Sequence, residues 1–393
     1  MSRARWLQET KKMRFEEAYS GWTNKRLTQE DAARLLGVCE RSFRRYVNRY
    51  HEEGLDGLID KRLNQVSHHK APTNEVLELE TLYKECYDQW NVKHFFENYR
   101  DNHGGQRSYT WVKNRLQEAG LVRRGKRKGV HRKRRDRAPM EGMLVHQDGS
   151  SHAWVPGCKW DLIVTMDDAT NEVYSAFFVE EEGTWSSLQG VRETIEKKGL
   201  FCSFYSDRGS HYWHTPEAGG KVDKSNPTQF GRALDELGIE RIAAYSPQAR
   251  GRSERLFRTW QDRLPKELAV KGITDMKKAN RFLKEKFMPD FNKRFTVTPA
   301  ESGSAFVPLL GTHLDDILCL KTERTVGRDN CVKYQGMNLQ IPKQRERCHY
   351  VKAKVRVHEY QSGYLALFHG PRRLANYDQK GKETGKPGKS EAA

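Results

Sequence analysis

Residues 143–150, Met-Leu-Val-His-Gln-Asp-Gly-Ser, begin with an apolar run at 143–147 that Asp148 closes, and they are predicted to be a buried or half-buried strand. Strand-like segments follow at 160–167 and 172–179. Helical periodicity then alternates with short apolar runs, and the predicted elements are a helix at 184–198, a strand at 200–206, a helix at 228–237, a strand at 239–245 and a helix at 251–268. Three successive strands followed by alternating helices and strands predict an α/β sheet.

Three acidic residues occupy positions from which a folded chain could direct them to a common point. Asp148 closes the apolar run of the first strand, Asp207 follows the strand at 200–206, and Glu254 lies near the start of the helix at 251–268. Mg²⁺ prefers oxygen ligands such as carboxylates, and a pair of divalent ions about 3.5–4 Å apart stabilises the charge that develops in phosphoryl transfer. The alternative for each acid is an ordinary solvated or helix-capping group.

The residues around these acids resemble known catalytic motifs. The run Tyr245-Ser-Pro-Gln-Ala-Arg-Gly-Arg-Ser-Glu-Arg-Leu-Phe-Arg-Thr-Trp is similar to the third motif of integrase-like DDE transposases from bacterial insertion sequences. Asp207-Arg-Gly with Tyr212 resembles the second motif, and Gln147-Asp-Gly resembles the first. The resemblance covers about residues 28 to 305, and within the family it is greatest to the ISNCY-type elements.

The resemblance implies a multi-domain protein whose catalytic domain, at 141–270, has the RNase H-like α/β fold. In that fold the first and fourth strands are neighbours, which would bring Asp148 and Asp207 together. By residue-level comparison, Asp148, Asp207 and Glu254 would be the catalytic residues and would bind two Mg²⁺ or Mn²⁺ ions in each active site.

The activity implied by the resemblance is DNA transposition. Such a protein would bind the terminal inverted repeats of its mobile element, hydrolyse phosphodiesters at the 3′ ends and transfer the 3′-hydroxyl to target DNA. It would work in the bacterial cytoplasm, at the nucleoid, as a homo-oligomer with at least two protomers on DNA. Two alternatives are a domesticated, sequence-specific DNA-binding regulator with a silent site and an RNase H-type nuclease.

One position departs from the family pattern. Members often have Lys or Arg seven residues after the catalytic Glu, but this chain has Gln261 there. The nearest cation on the same helical face as Glu254 is Arg258, which is therefore expected to contact DNA.

Composition points to a polyanionic partner. The 393-residue chain carries a net charge of +18, and 36% of its residues are hydrophobic, enough for more than one core. Residues 1–140 hold 31 Lys and Arg but 19 Asp and Glu, so most of the excess charge lies in the first third of the chain.

Cysteine spacing and hydropathy narrow the class of protein. The seven cysteines form no Cys-x-x-Cys pair, so we expect reduced thiols and no zinc site. No apolar run reaches about 18 residues and the first residues lack a signal-peptide core, so a soluble protein without a membrane partner is expected.

Residues 8–66 are predicted to form a helix-turn-helix DNA-binding domain. Its first helix, after Thr28, is expected to direct Ala32, Leu35 and Leu36 inward, and Gly37 is expected to form the turn. The second helix, at about 40–50, would bury Phe43, Tyr46 and Val47 and present its arginines to the major groove. The alternative is a basic helical hairpin that does not contact DNA.

A second helix-turn-helix-like domain is predicted at 72–121, with helices at 74–90 and 92–102 and a third that begins at Ser108. A basic linker at 122–140 follows. Ten of the sixteen residues at 122–137 are Lys or Arg, a composition that cannot form a core and that favours binding along a phosphate backbone. A nuclear-localisation patch is the compositional alternative.

The candidate DNA contacts are polar and basic residues of the two helical domains, the linker and the helix that carries Glu254. They are Arg41, Ser42, Arg44, Arg45, Arg49, Lys113, Arg115, Arg123, Arg124, Lys126, Arg127, Lys128, Arg132, Lys133, Arg134, Arg135 and Arg258.

Other polar residues near the acids are interpreted as structural. Asp167 and Asp168 precede a turn-forming Ala-Thr-Asn, and His146, His152 and His211 are more typical of hydrogen-bonded scaffolding than of catalysis.

The remainder of the chain is predicted to contain three segments. A helical extension spans 271–311 and includes a helix from Met276 to Phe287, a small β-barrel spans 312–377, and a disordered tail spans 378–393.

Overall fold

The computed structural model describes residues 3–60, 70–125, 135–217, 220–245, 251–311, 313–343 and 347–385. Its backbone divides into two compact units, Met1–Leu82 and Tyr83–Ala393. Within the described ranges, no helix has the length and apolar character needed to cross a membrane.

The first unit is built around helices α1 (Arg3–Thr23), α2 (Gln29–Leu35) and α3 (Glu40–Glu53). Thr28 caps α2, because its hydroxyl accepts a hydrogen bond from the Asp31 backbone N–H at 3.1 Å. Gly37 has a φ of 66°, the left-handed conformation that the predicted turn requires. The core of these helices is apolar and consists of Phe15, Ala18, Ala32, Ala33, Phe43, Val47 and Leu58.

The inward face predicted for α2 is partly wrong. Leu35 is 48% exposed, and Ala33 is buried in its place. Helix α2 packs against both α1 and α3, so its buried surface includes two consecutive positions, Ala32 and Ala33, instead of one narrow stripe. In α3, the predicted burial of Phe43 and Val47 is confirmed, and Tyr46 is partly buried.

Three helices precede the α/β sheet in the chain, α4 (Thr73–Cys86), α5 (Val92–His103) and α6 (Tyr109–Glu118). The first ends at Cys86, four residues before the predicted end. Ser108 caps α6 by accepting from the backbone N–H of Trp111 at 3.3 Å. Val112 and Leu116 are buried, and Trp111 is partly exposed.

The predicted α/β sheet is confirmed. Its strands are β1 (Leu144–Val155), β2 (Cys158–Asp167), β3 (Val173–Val179), β4 (Ser203–Ser206) and β5 (Glu240–Ala243). They are ordered β3-β2-β1-β4-β5. The first three are antiparallel, whereas β4 is parallel to β1 and β5 is parallel to β4. This is the arrangement expected of an RNase H-like, integrase-like core, with the first and fourth strands adjacent.

Helices cover both faces of the sheet. They are α7 (Thr184–Lys198), α8 (Gln229–Glu236), α9 (Gly251–Val270), α10 (Met276–Phe282) and α11 (Met288–Phe295), with a π-helical turn at Leu283–Phe287. Helices α7 and α8 pack on one face around Leu188 and Phe230, and α9 to α11 pack on the other face around the fully buried Trp260.

Two asparagines cover the edge strand β3. The Asn292 side chain accepts from the Val173 N–H at 2.9 Å and donates to its carbonyl at 2.8 Å. Asn280 does the same at Phe178, at 2.6 and 3.0 Å. The helices α10 and α11 thereby satisfy backbone groups that an exposed edge strand would offer to another chain.

A buried ion pair connects α5 to α9 and α11. Glu97 accepts from Arg263 of α9 at 2.6 Å and from Arg294 of α11 at 2.8 Å. The side chains of Glu97 and Arg263 are 8% and 9% exposed. The neighbouring His94 Nε2 lies 2.7 Å from Glu267 Oε1, also on α9.

The last part of the chain is a β structure. Its elements are α12 (Leu314–Ile317), β6 (Leu320–Thr325), β7 (Cys331–Tyr334), β8 (Met337–Gln340), β9 (Lys354–Glu359), β10 (Leu365–His369), β11 (Arg372–Tyr377) and β12 (Glu383–Thr384). In the described residues these strands form an open sheet in the order β12-β11-β10-β9-β6 and a separate β7-β8 ribbon.

The predicted closed barrel is therefore not observed. Val332 and Leu339 of the ribbon share a core with Val357 and Leu367 of the sheet, so the apolar faces are buried by packing of two sheets rather than by closure of one. The predicted disordered tail also begins too early, since β12 lies within 378–393 and pairs with β11 through Thr384 and Asn376.

Candidate active site

Asp148 lies inside the sheet, on its central strand. It is 8% exposed and pairs with Val164 across β1 and β2. On the other side of β1, the parallel ladder with β4 places His146 opposite Tyr205. Two residues further along these strands come Asp148 and Asp207.

Asp207 follows the last residue of β4 at the corresponding level. Its Oδ1 accepts a hydrogen bond from the Gly209 N–H at 2.9 Å, which turns the chain directly after the strand. The observed ladder ends at His146 and Tyr205, two residues before the two acids. Because neighbouring strands are about 4.8 Å apart, continuation of this register would place Asp207 next to Asp148.

Helix α9 lies beside β1, and two contacts define its direction. Near its start, Arg252 donates to Asp168, whose Oδ1 also lies 2.6 Å from Nε2 of His146 on β1. Further along α9, Gln261 Nε2 donates to Ser150 Oγ at 2.9 Å. Helix and strand therefore run in the same direction between these contacts.

The stretches between the two contacts have similar lengths. Nine helical residues rise about 13.5 Å and four strand residues about 13 Å. Glu254 comes two residues after the first contact on the helix, and Asp148 comes two residues after it on the strand. Glu254, which is exposed in the first turn of α9, consequently lies alongside the part of β1 that contains Asp148.

The three carboxylates are not gathered into one ligand set. Among the described residues, no group of three or more His, Cys, Asp or Glu side chains is close enough to hold a metal ion. Asp148 lies on β1, Asp207 directly after the adjacent β4 and Glu254 in the first turn of α9. Residues 246–250 of the third motif lie outside the described ranges.

Glu182, just before α7, is a further acidic residue at this end of the sheet. A Cβ atom on Gly149 would lie 2.1 Å from its Oε2, so the Glu182 carboxylate touches the backbone next to Asp148. Its Oε1 accepts from the Tyr212 hydroxyl at 3.4 Å and lies 3.4 Å from Nε2 of His211. Sequence reasoning missed Glu182, whose only local signal is an acidic run before a helix.

Three acidic residues, Glu182, Asp148 and Asp207, act electrostatically on the buried Tyr212 hydroxyl. Burial, followed by the negative charges of Glu182, Asp148 and Asp207, raises the pKa of Tyr212 well above its ordinary value. Tyr212 therefore remains a protonated hydrogen-bond donor, and it donates to Gln147 Oε1 at 2.9 Å.

Gln147 continues this hydrogen-bond chain into the core. Its Nε2 donates to Thr165 Oγ1 at 2.9 Å and to the Ser187 carbonyl at 3.1 Å. A Cβ atom on Gly190 of α7 would lie 2.3 Å from the same Nε2, so only glycine fits there without displacing Gln147. This series of hydrogen bonds fixes the position of β1 immediately before Asp148.

The structural interpretation of His146 is confirmed. Its ring is buried, and burial lowers its pKa, so it is held as a neutral side chain against Asp168. His211 lies against Glu182 at the site, and the ring of His152 contacts Trp154 with centroids 5.1 Å apart.

The candidate DNA contacts on α3 share one exposed face. Arg41, Arg44, Arg45 and Arg49 are all exposed, opposite the buried Phe43 and Val47. Ser42 is partly buried, and its Oγ lies 3.4 Å from Cys39 Sγ at the start of the helix. The exposed face of α3 is therefore basic between Arg41 and Arg49.

The other candidate contacts have varied surroundings. Arg123, Arg124 and Arg258 are exposed, Lys113 is partly buried, and Arg115 pairs with Glu118 at 2.8 Å. Arg135 donates to the buried Asp168. Lys126, Arg127, Lys128, Arg132, Lys133 and Arg134 lie outside the described ranges.

Comparison with known proteins yields matches at the level of domain, chain and structure. A family described as "Winged helix-turn helix" matches residues 18–71. The putative transposase y4bF of Sinorhizobium fredii is 31% identical over 346 residues, which cover 86% of this chain and 75% of that protein. The transposase for insertion sequence IS1202 of Streptococcus pneumoniae is 26% identical over 68% of this chain and 65% of its own length. A chain of the simian T-cell lymphotropic virus intasome, solved in complex with PP2A regulatory subunit B56 gamma, matches with a TM-score of 0.35 and 14% identity, over 73% of this chain and 91% of its own.

Proposed function

Because this chain belongs to the transposases of bacterial insertion sequences, we propose that it binds the terminal inverted repeats of its own mobile element, hydrolyses the phosphodiester at each 3′ end and transfers the freed 3′-hydroxyl to target DNA. The observation that carries the proposal is the parallel pairing of β1 with β4, in which His146 lies opposite Tyr205, two residues before Asp148 and Asp207 respectively. The course of α9 beside β1 supports Glu254 as the third acidic residue.

We propose that Asp148, Asp207 and Glu254 bind two Mg²⁺ or Mn²⁺ ions. All three offer hard carboxylate oxygens, and Mg²⁺ keeps several waters, so a few protein ligands are sufficient. When bound, such ions would stabilise charge on the attacking and leaving oxygens of an in-line displacement. Since Glu254 is exposed in the first turn of its helix, its carboxylate can change rotamer and approach the two aspartates without moving the backbone.

Two features around the carboxylates would position the reacting groups: a hydrogen bond that holds β1, and an arginine on α9 that would contact DNA. The Tyr212–Gln147 hydrogen bond keeps β1 in register before Asp148. Arg258, one turn beyond Glu254 on the same face of α9, is exposed and would contact a phosphate next to the scissile bond.

Binding of the element ends is assigned to the two helical domains, at 8–66 and 72–121, and to the basic linker at 122–140. The matched helix-turn-helix family and the exposed arginines of α3 support major-groove contacts by that helix. The linker, with ten Lys and Arg among residues 122–137, would follow the phosphate backbone towards the carboxylates.

Single Ala substitutions of Arg41, Arg44 or Arg45 are expected to weaken binding to the element end by about 1–3 kcal/mol wherever the arginine contacts a base. Substitutions of the linker arginines at 123 and 124 should instead weaken binding to all DNA alike and reduce the dependence of affinity on salt. Fluorescence anisotropy with end and scrambled duplexes at several salt concentrations would measure both effects. Equal, sequence-independent losses from the two sets would contradict α3 as the reader.

We further propose that at least two protomers assemble on DNA, because two element ends must be joined in concert and each chain contributes one set of carboxylates. If a protomer bound at one end cleaves the other, an α3 variant defective in binding and a Glu254→Ala variant should together recover strand transfer that neither shows alone. Mixed oligomers that form but show no recovery would argue for cleavage in cis.

The direct test of the proposed function uses the purified full chain, a duplex that carries the element end and a plasmid target. With Mg²⁺, we expect a nick at the 3′ end and then a product in which that end is joined to the plasmid. A regulator would bind the same duplex without cleaving it, and a nuclease would cleave without joining. Either result would overturn the proposal.

A further inference from the structure

The buried carboxylate of Asp168 connects α9, β1 and the end of the basic linker. The residue is 0% exposed, and its Oδ1 accepts from Arg252, from Arg135 and from Nε2 of His146 at 2.6 Å. Its Oδ2 accepts from the Ala138 backbone N–H at 2.7 Å. These donors come from α9, from the end of the basic linker and from β1.

This carboxylate is ionised despite its burial. Burial alone would raise the pKa of Asp168, but hydrogen bonds from His146 and Ala138 and the positive charge of Arg252 lower it below the usual range. An ionised carboxylate with several donors holds those donors in one geometry, because each bond is charge-assisted or lies in a low-dielectric interior.

Two of the donors to Asp168 each lie two residues before one of the proposed catalytic acids. Arg252 precedes Glu254 by two residues in the first turn of α9, and His146 precedes Asp148 by two residues in β1. One carboxylate therefore joins the backbone segments that carry two of the three acids. Arg252 also donates to the Arg135 carbonyl at 3.0 Å, which limits the rotation of its side chain.

The adjacent Asp167 provides a natural comparison. It is equally buried, but its bonds are local to the turn and the preceding segment: Gly142 N–H at 2.9 Å, and Thr170 N–H and hydroxyl at 2.8 and 2.9 Å. None of these bonds reaches α9. Asp167 therefore stabilises the turn, whereas Asp168 contacts α9.

We propose that Asp168 is a positioning residue for the catalytic reaction: through Arg252 it fixes the first turn of α9 against β1 and so sets the distance between the Glu254 and Asp148 carboxylates. The inference rests on the proposed function, since it concerns the placement of the third carboxylate. It does not require Asp168 to touch metal or DNA.

The test compares Asp168→Asn and Arg252→Gln with Asp167→Asn and with the conservative Arg252→Lys, all in the full chain. The first readout is hydrogen exchange of the amides at 255–258, whose helical acceptors are in the first turn. We expect faster exchange there in Asp168→Asn and Arg252→Gln, and wild-type exchange in Asp167→Asn and Arg252→Lys. This readout needs no catalysis, so it still tests the link to α9 if the wild-type chain fails to join DNA.

The second readout is the Mg²⁺ concentration that gives half-maximal strand transfer. Loss of a residue that orients a metal ligand costs about 10–100-fold in metal affinity, so Asp168→Asn and Arg252→Gln should raise this concentration while leaving end binding unchanged. Arg252→Lys should restore most of it, and the double variant should lose no more than Asp168→Asn. If Asp168→Asn does not fold, Arg252→Gln carries the test, since Asp168 then keeps Arg135, His146 and Ala138. Wild-type exchange and metal dependence in folded Arg252→Gln, or equal shifts in Asp167→Asn, would overturn the inference.

Discussion

Replacement of Asp148 or Asp207 by Asn, or of Glu254 by Gln, is expected to reduce DNA cleavage and strand transfer by about a thousandfold or more. Metal ions stabilise the transition state of phosphoryl transfer by several kcal/mol, and each 1.36 kcal/mol corresponds to a factor of ten. The amide side chains keep the shape of the acids but lose the charge that binds metal. Binding to the element end should stay near the wild-type value, because the reading helix α3 is remote in sequence from all three positions.

A matched control lies on the same helix as Glu254. Asp262 of α9 is 37% exposed and pairs with Lys266 at 2.6 Å, so Asp262→Asn removes an acid of α9 without touching the proposed site. It should retain most of the activity. Substantial turnover by Asp148→Asn or Asp207→Asn would exclude these residues as metal ligands, and a loss in Asp262→Asn equal to that in Glu254→Gln would indicate a general effect of charge.

Glu97→Ala is expected to lower the free energy of unfolding by about 3–5 kcal/mol, because it leaves the Arg263 guanidinium buried without its carboxylate. The two side chains are 8% and 9% exposed and 2.6 Å apart, and they join α5 to α9. Denaturant unfolding followed by circular dichroism would measure the change. Since α9 carries Glu254, part of the loss should appear as earlier unfolding of the catalytic domain.

Asp101 offers the corresponding exposed pair. It lies 3.0 Å from Arg294, with the two side chains 38% and 33% exposed, and exposed pairs contribute about 0–1 kcal/mol. Asp101→Ala should therefore be nearly neutral. A similar cost for Asp101→Ala and Glu97→Ala would show that burial of the pair does not decide its contribution.

The sheet could be predicted from local pattern because each element carries its own signal. Helix α7 has the predicted bounds 184–198, and the predicted strands at 160–167 and 172–179 differ from β2 and β3 by one or two residues. Strand β1 is longer than predicted, since the polar Ser151 and His152 still pair with β2 although they lack an apolar pattern. Their pairing partners supply the signal that their own side chains do not.

The surroundings of the acids could not be predicted, because they depend on contacts between distant residues. Asp168 meets Arg135 and Arg252, which are 33 and 84 positions away. Glu182 reaches Gly149 only because the turn before α7 returns to the middle of β1. Neither the partners of Asp168 nor the position of the turn that carries Glu182 can be predicted from composition or periodicity within one element.

The errors have a similar origin. The strands of the C-terminal domain were identifiable by alternation, but closure of a barrel depends on whether its first and last strands pair, which alternation does not specify. For α2, the stripe expected of a helix with one partner failed because this helix packs against both α1 and α3. In each case the number of neighbours, rather than the local sequence, determined the result.

Asp148, Asp207 and Glu254 are proposed to bind catalytic metal ions together when DNA is present. Crystals of the full chain with its element-end duplex, grown with Mn²⁺ and measured near the manganese absorption edge, test it most directly. We expect anomalous peaks about 2 Å from carboxylate oxygens of Asp148 and Asp207, with the Glu254 side chain turned towards at least one of these peaks. Anomalous peaks at other residues, or a DNA-bound site in which these carboxylates hold no manganese, would contradict it.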